Sequence, residues 1–255
     1  MITSKTEDYL SGGTATATTA NTYHATMKQL VKDQSVTNSD GKVTKVSYTY
    51  PVDEPAGAVR TALLDRNMVA VPMSSKTFVN SVLKATEKNT FALFNTSQVL
   101  PQKKERAFEA NPLETEVTFN KYDAKGNLLS YTTIGNATTT ILWGYNGAYP
   151  VAEITNIDTA ALATYLAANP DVQTTFNAPS SDAALRTKIQ QLRTAFANAM
   201  ITGYTYKPMV GITSKTDVNN TITYYEYDTL GRLKTVKDNN SKILNQYTYQ
   251  IQGTE

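Results

Sequence analysis

The sequence has no cysteine in 255 residues, which excludes disulfides, thiol nucleophiles and thiolate metal sites and leaves the redox compartment unmarked. It has a single histidine, His24, so a histidine metal cluster is excluded and any metal would need oxygen ligands. Charge of one sign is missing too. Against 24 Lys+Arg stand 22 Asp+Glu, a net charge of +2, far from the basic excess of a nucleic-acid or anionic-membrane binder. No stretch approaches the roughly 18 apolar residues that cross a bilayer. The segment Met1-Ile2-Thr3-Ser4-Lys5-Thr6-Glu7-Asp8 lacks the apolar core of a signal peptide. The expectation is a soluble chain with no membrane span, no nucleic-acid partner and no export address of its own.

What is abundant is tyrosine: 16 Tyr against 7 Phe and one Trp, within a 40% hydrophobic composition. Tyrosine suits a strand face, where the ring packs and the hydroxyl reaches water or a neighbour. The length allows one large β domain or two ordinary ones.

The C-terminal fifth repeats itself. Tyr-x-Tyr pairs stand at Tyr204/Tyr206, Tyr225/Tyr227 and Tyr247/Tyr249, their second members 21 and 22 residues apart. Each interval holds an acidic turn, Asp217-Val218-Asn219-Asn220 or Asp238-Asn239-Asn240-Ser241. Asn, Asp and Gly tolerate the positive φ of tight turns, so each unit reads as one hairpin ending in the next tyrosine pair. Ile243, Tyr247, Tyr249 and Ile251 share a parity and predict one face of a half-buried strand. Upstream, Asp40-Gly41-Lys42-Val43 precedes Val46, Tyr48 and Tyr50, with Asp40 ten residues before Tyr50 as Asp217 is ten before Tyr227.

Two heptapeptides carry a family resemblance. Tyr122-Asp123-Ala124-Lys125-Gly126-Asn127-Leu128 and Tyr227-Asp228-Thr229-Leu230-Gly231-Arg232-Leu233 resemble the Tyr-Asp-x-x-Gly-Arg/Asn-Leu signature of the YD-repeat, or Rhs, family. Ile141-Leu142-Trp143-Gly144-Tyr145-Asn146, Tyr149-Pro150-Val151-Ala152 and Tyr204-Thr205-Tyr206-Lys207-Pro208-Met209-Val210-Gly211 resemble connecting segments of its large exported members. The similarity runs from about residue 40 to 250. It implies a β-strip coiled into a hollow shell, around a C-terminal toxin in bacterial members. The structural residues of that signature are Tyr122, Asp123, Gly126 and Leu128, and Tyr227, Asp228, Gly231, Arg232 and Leu233. Gly126 and Gly231 are expected at equivalent turn positions with φ > 0. Self-cleavage does not carry over, because the Asp-Pro dipeptide of the family's processing region is missing.

One region departs from the β pattern. Ala161, Leu162, Tyr165 and Leu166 recur at helical spacing behind an N-cap at Asp158, and Asn169-Pro170 stops the run. A second helix opens at Ser180 or Ser181 and aligns Leu185, Ile189, Leu192 and Phe196. Both belong to a helical insertion that covers a face or edge of the sheet.

Residues able to carry chemistry are few. His24 lacks an evident partner in the sequence and reads as a surface residue. Asp123, Asp217, Asp228 and Asp238 invite a calcium reading, but the clusters lack the further carboxylates of a calcium loop, and turn formation accounts for them. The acid pairs Asp53/Glu54 and Glu114/Glu116 read as surface acids. Tyr and Trp faces could stack on sugars, whereas their placement at repeat offsets favours core and cross-strand ladders. Lys103-Lys104-Glu105-Arg106 reads as a solvated loop, and Gly12-Gly13 and Gly231 lack a phosphate-loop context.

The expected fold is mainly β, an antiparallel strip of hairpin repeats forming part of a shell. Residues 1–39 carry no assigned repeat, 40–157 and 199–255 are hairpin repeats, and 158–198 are the helical insertion. The expected function is non-catalytic: a wall that encapsulates or displays a C-terminal effector or toxin, secreted or at the bacterial cell surface within a longer protein. Its expected partners are neighbouring YD repeats, or further copies joined by edge strands, with a toxin cargo. No cofactor or metal is expected. A glycan- or cell-surface-binding module using exposed Tyr and Trp is the alternative, and an enzyme comes third.

Overall fold

A computed structural model describes residues 1–10 and 13–250; Gly12 and Ile251 lie outside the described residues. Two compact units divide the chain, Met1–Lys121 with Thr132–Gly135, and Tyr122–Tyr131 with the residues from Asn136 onward. In both, strands join their sequence neighbours in antiparallel pairs, so the mainly β hairpin architecture expected from the repeats is present.

The first unit runs through β1 (Ile2–Leu10), β2 (Gly13–Tyr23), β3 (Val31–Asn38), β4 (Val43–Thr49), β5 (Ser74–Val79), β6 (Val82–Phe94), β7 (Gln98–Phe108) and β8 (Glu114–Tyr122). Each pairs with the next. Between β4 and β5 a short helix, α1 (Ala58–Asp65), buries Leu63 completely against Met73 and Val99. The tyrosine pattern gave no sign of α1, since eight residues hold barely two turns of periodicity. Lys103-Lys104-Glu105-Arg106 lies on β7 and not in a loop. Its charges are matched along and across the sheet, Lys103 to Glu105 at 2.7 Å and Lys104 to Glu116 at 3.2 Å.

In the second unit, β9 (Leu128–Thr133), whose last two residues fall in the first unit, is followed by β10 (Thr138–Gly144), β11 (Tyr149–Thr155), β12 (Met200–Lys207), β13 (Gly211–Thr216), β14 (Ile222–Tyr227), β15 (Leu233–Lys237) and β16 (Ile243–Gln246). From β10 onward each pairs with its successor. β16 ends at Gln246, so Tyr247 and Tyr249 leave the strand in which their parity placed them. Tyr247 N still donates to Lys234 O at 2.9 Å.

The helical insertion contains three helices, α2 (Thr159–Ala168), α3 (Pro170–Asn177) and α4 (Asp182–Ala195). Asp158 caps α2 by accepting from Ala160 N at 2.8 Å, and Ser181 caps α4 by accepting from Ala184 N at 3.1 Å. Pro170 ends α2 and also opens α3, because a proline at the first helical position loses an amide that would have had no partner there. The insertion supplies Leu162, Val172, Phe176, Leu185, Ile189 and Leu192 to one core with Leu142, Val151, Ala152, Ile154 and Ile201 of the sheet. Burying each large side chain stabilises by roughly 1.5–3 kcal/mol. Phe196 falls one residue beyond α4 as its C-cap, where it meets the Tyr165 ring edge-on at 5.4 Å.

Contact is tight where α4 crosses β12. A β-carbon on Gly203 would stand 2.7 Å from Ile189 Cδ1, and one on Gly144 would stand 2.5 Å from the carbonyl oxygen of Phe176. Glycine at these places is a packing requirement of the helical layer.

Candidate functional site

The signature residues build one turn, and it occurs four times among the described residues. In the turn at Asp123 the backbone amide donates to Asn127 O at 2.9 Å, and Gly126 N returns a bond to Asp123 O at 3.0 Å. The carboxylate oxygen Oδ1 then accepts from Lys125 N and Asn127 N, both at 2.8 Å. The same four bonds recur at Asp217, Asp228 and Asp238. In every copy the residue three after the aspartate is left-handed: Gly126 (φ 86°), Asn220 (64°), Gly231 (77°) and Ser241 (65°). A carboxylate that satisfies two amides in a chain reversal is what makes aspartate obligatory here, and a left-handed backbone is what favours Gly or Asn.

The upstream Asp40 turn is offset from this scheme. Asn38 N pairs with Lys42 O and Gly41 N with Asn38 O, with Gly41 left-handed at 77°. Asn38 therefore occupies the place of Asp217, and Asp40 is an accessory that accepts only from Lys42 N. The matching ten-residue spacings were not structural equivalents.

The sixth signature residue serves the other carboxylate oxygen. Asn127 Nδ2 donates to Asp123 Oδ2 at 3.0 Å and also to Gly147 O at 3.0 Å. Arg232 Nε donates to Asp228 Oδ2 at 2.7 Å, while its guanidinium lies 4.4 Å from the centre of the Tyr249 ring. Asn and Arg share a side-chain N–H that folds back on the aspartate and still reaches the next hairpin. The amide of Arg232, joined by its guanidinium and by Leu230 N, holds Asp228 below the usual carboxylate range.

The seventh residue works through its backbone. Trp143 Nε1 donates to Leu128 O at 2.9 Å, and Tyr249 Oη donates to Leu233 O at 2.8 Å. Equivalent latches join Tyr50 to Val31 O, Tyr206 to Pro150 O and Tyr227 to Ile212 O, at 2.7, 2.8 and 2.9 Å. In each, an aromatic N–H or O–H in the last residues of one strand, or just beyond its end, reaches the first or second residue of the preceding strand. Tyr122, which opens the first signature, is buried, and burial pushes its phenol up to about 12. The signature thus codes a turn, a carboxylate clamp and the acceptor of the following latch. The turn was legible in sequence; the clamp and the acceptor were not, the acceptor because any residue has a carbonyl.

Two further clusters were missed. His24 is not a surface residue: its side chain is 11% exposed, and Nε2 donates to Asp53 Oδ1 at 2.9 Å. Nδ1 accepts from Met27 N at 3.1 Å and Thr26 N at 3.3 Å, which fixes the tautomer with the proton on Nε2. Asp53 also accepts from Tyr50 N at 2.9 Å. Burial works to raise its carboxyl, yet the Tyr50 amide and the His24 ring outweigh that and lower it. The cluster ties two loops of the first unit together.

The second cluster stacks Tyr149 on Tyr206 at 4.7 Å and sets Tyr145 edge-on to both, at 5.4 and 5.8 Å. Tyr145 Oη accepts from Tyr206 N at 2.9 Å and donates to Tyr206 O at 3.1 Å. Tyr145, Asn146 and Gly147 are all left-handed, at φ 50°, 58° and 80°. Lys125 and Asn127 of the first signature grip the carbonyls of Asn146 and Gly147. Among the described residues, no group of three His, Cys, Asp or Glu side chains could hold a metal, and no helix is long and apolar enough to cross a membrane.

No family model and no curated protein matches the chain. Among solved structures it is similar to the Photorhabdus luminescens Tc holotoxin pore, at 10% identity and a TM-score of 0.32 over 92% of this chain and 13% of that one. A TcdB2-TccC3 structure without its hypervariable C-terminal region gives 10% identity and a TM-score of 0.34 over 90% and 13%. A porin-like protein from Bacteroides uniformis gives 9% and 0.22 over 92% and 81%. The chain spans 13% of the length of those toxin-complex chains, and likeness at these scores carries no functional weight.

Proposed function

We propose that this chain is a non-catalytic structural segment of a YD-repeat β-shell, which encapsulates or displays an effector or toxin carried by a longer protein outside the cell or at its surface. The observation that supports this reading is the inward use of the signature. Asp123 and Asp228 spend their carboxylates on amides of their own turns, and the aromatic N–H and O–H groups are spent on carbonyls of the adjoining strand. Groups engaged in this way build walls. Chemistry on a substrate would need them free.

Neighbouring repeats, or further copies of the chain, are the partners this reading implies. β16 pairs on one side only among the described residues, and Ile243 and Leu244, on its opposite faces, are 51% and 54% exposed. An edge strand of this kind accepts another strand. The test is protease protection in the complete reading frame. A region encoded downstream should resist limited proteolysis when attached to this segment and be digested when expressed alone. Equal digestion in both forms would refute encapsulation. Sedimentation of the isolated chain over a wide concentration range checks the edge, and a strictly monomeric chain would count against it.

A further inference from the structure

The tyrosine cluster of the second unit forms one wall of an open cleft of about 510 Å³, and the loop between α3 and α4 forms the other. No basic side chain lines it. Its single acid is Asp182, half-buried at the start of α4. Among the described residues no cation lies within salt-bridge distance of that carboxylate, although Arg186 sits one helical turn further on, at the spacing where such a pair ordinarily forms. Arg186 turns instead to Ser214 Oγ at 3.0 Å and to the Tyr224 ring at 5.5 Å.

The aromatic wall is fixed in place. Tyr145 is bonded to both backbone groups of Tyr206, Tyr206 Oη donates to Pro150 O, and Tyr149 Oη accepts from Met209 N at 3.0 Å. The ring centroids are 4.7 to 5.8 Å apart, too close to admit a group between them, so what the cleft is offered is the outer ring surface. Met209, 95% exposed and left-handed, stands at its rim as an adaptable apolar contact. Burial raises the Tyr145 phenol, and the Asp182 charge adds to that, as its position across the cleft requires.

We propose that this cleft binds an organic cation, with the positive group held between the Asp182 carboxylate and the ring surface that the stacked Tyr149–Tyr206 pair presents to the cleft. Rings attract a cation through their quadrupole, and an unpaired carboxylate in a partly desolvated cleft adds a direct charge. The shared chemistry is an alkylated or extended ammonium or guanidinium, supplied by a free quaternary amine or by a Lys or Arg side chain of a polypeptide. The site does not depend on the shell reading.

The experiment titrates the intact chain, at constant ionic strength, with tetramethylammonium, N-acetyl-lysine methylamide, N-acetyl-arginine methylamide and the neutral isostere tert-butanol. Binding is followed by amide NMR shifts of residues 145–149, 178–182 and 206–209. Saturable binding of a cation is expected, weakened at least about tenfold by Asp182→Asn and by Tyr149→Leu, with Asp182→Asn melting as the parent does. Binding of tetramethylammonium alone points to a free quaternary amine, and binding of either amino-acid amide to a polypeptide side chain. The proposal is overturned if no cation saturates the shifts, if tert-butanol binds equally, or if Asp182→Asn binds unchanged.

Discussion

Tyr227 donates its phenolic hydrogen to the carbonyl of Ile212, fifteen residues earlier, at 2.9 Å. The bond closes the hairpin of β13 and β14 at the end opposite its Asp217 turn, so this hairpin is pinned at both ends. Gly211, just before the acceptor, lies against the Tyr227 ring, where any β-carbon would collide with it. A backbone carbonyl, a neighbouring glycine and a tyrosine on the next strand therefore act as one device.

Removing the hydroxyl should cost about 1 kcal/mol, the usual net worth of a hydrogen bond, with part of the loss coming from the carbonyl left behind. Tyr227→Phe is expected to lower the denaturant midpoint by that amount. Tyr225→Phe, on the same strand but outside the latch, should change it by less than about 0.5 kcal/mol. Equal effects in the two variants would show that the latch contributes nothing special.

At Gly231 the cost of a side chain is conformational. A β-carbon there would meet only Val210, at 3.7 Å, but φ is 77°. Gly231→Val should destabilise by about 1–2 kcal/mol. Gly231→Asn should cost clearly less, since Asn220 holds the same place in the Asp217 turn at φ 64°. Thermal melts of both variants, and of the matching pair at Gly126, would check the order.

Arg193 joins the helical layer to the repeat. Its Nη2 donates to Ile201 O at 2.5 Å and to Asp217 O at 2.7 Å, and its Nη1 to Val218 O at 3.3 Å. Burial lowers its guanidinium, against the pull of Asp217. Arg193→Ala should cost about 2–3 kcal/mol by leaving these carbonyls without a charged donor. Lysine, a single point charge, should restore only part of it. Hydrogen exchange at residues 217–221 should rise in both variants.

Alkaline stability follows from the buried tyrosines. Burial is the main cause that pushes Tyr122 and Tyr204 up to about 12, and it also raises Tyr145 and Tyr206. Folded values above the unfolded one mean that the unfolded chain releases its protons first. The stabilisation is complete below about pH 10 and is lost as pH rises through about 12. A spectrophotometric phenol titration should show a late-ionising group of tyrosines whose titration coincides with loss of the β signal. A single phase near pH 10 with the fold intact would contradict this.

Much of the repeat was legible because its rules are local. Aspartate, an amide two residues on and a left-handed residue three on all belong to one five-residue turn, so the heptapeptides at Tyr122 and Tyr227 marked it directly. The caps at Asp158 and Ser181 were legible for the same reason. Where spacing alone was used, it misled. Asp40 matched Asp217 by its distance from a tyrosine, yet the backbone gives that role to Asn38, because the left-handed residue is Gly41.

The candidate sites were less legible, since their partners are far apart in the chain. His24 meets Asp53 across 29 residues, and Tyr145 meets Tyr206 across 61. No periodicity records such meetings. The helix α1 and the helical role of Pro170 were hidden for a different reason, being too short to show a pattern.

By itself the sequence determined the mainly β character, the helical insertion and the turns that Asp123, Asp217, Asp228 and Asp238 build, all through bonds that close within a few residues. Tertiary structure alone decided which carbonyl each aromatic would latch, that the half-buried His24 would meet Asp53, and that Asp182 would be left facing a tyrosine wall while Arg186 turned away. Those outcomes depend on strand register and on where the helices settle, and both are set by the summed packing of residues distant in sequence.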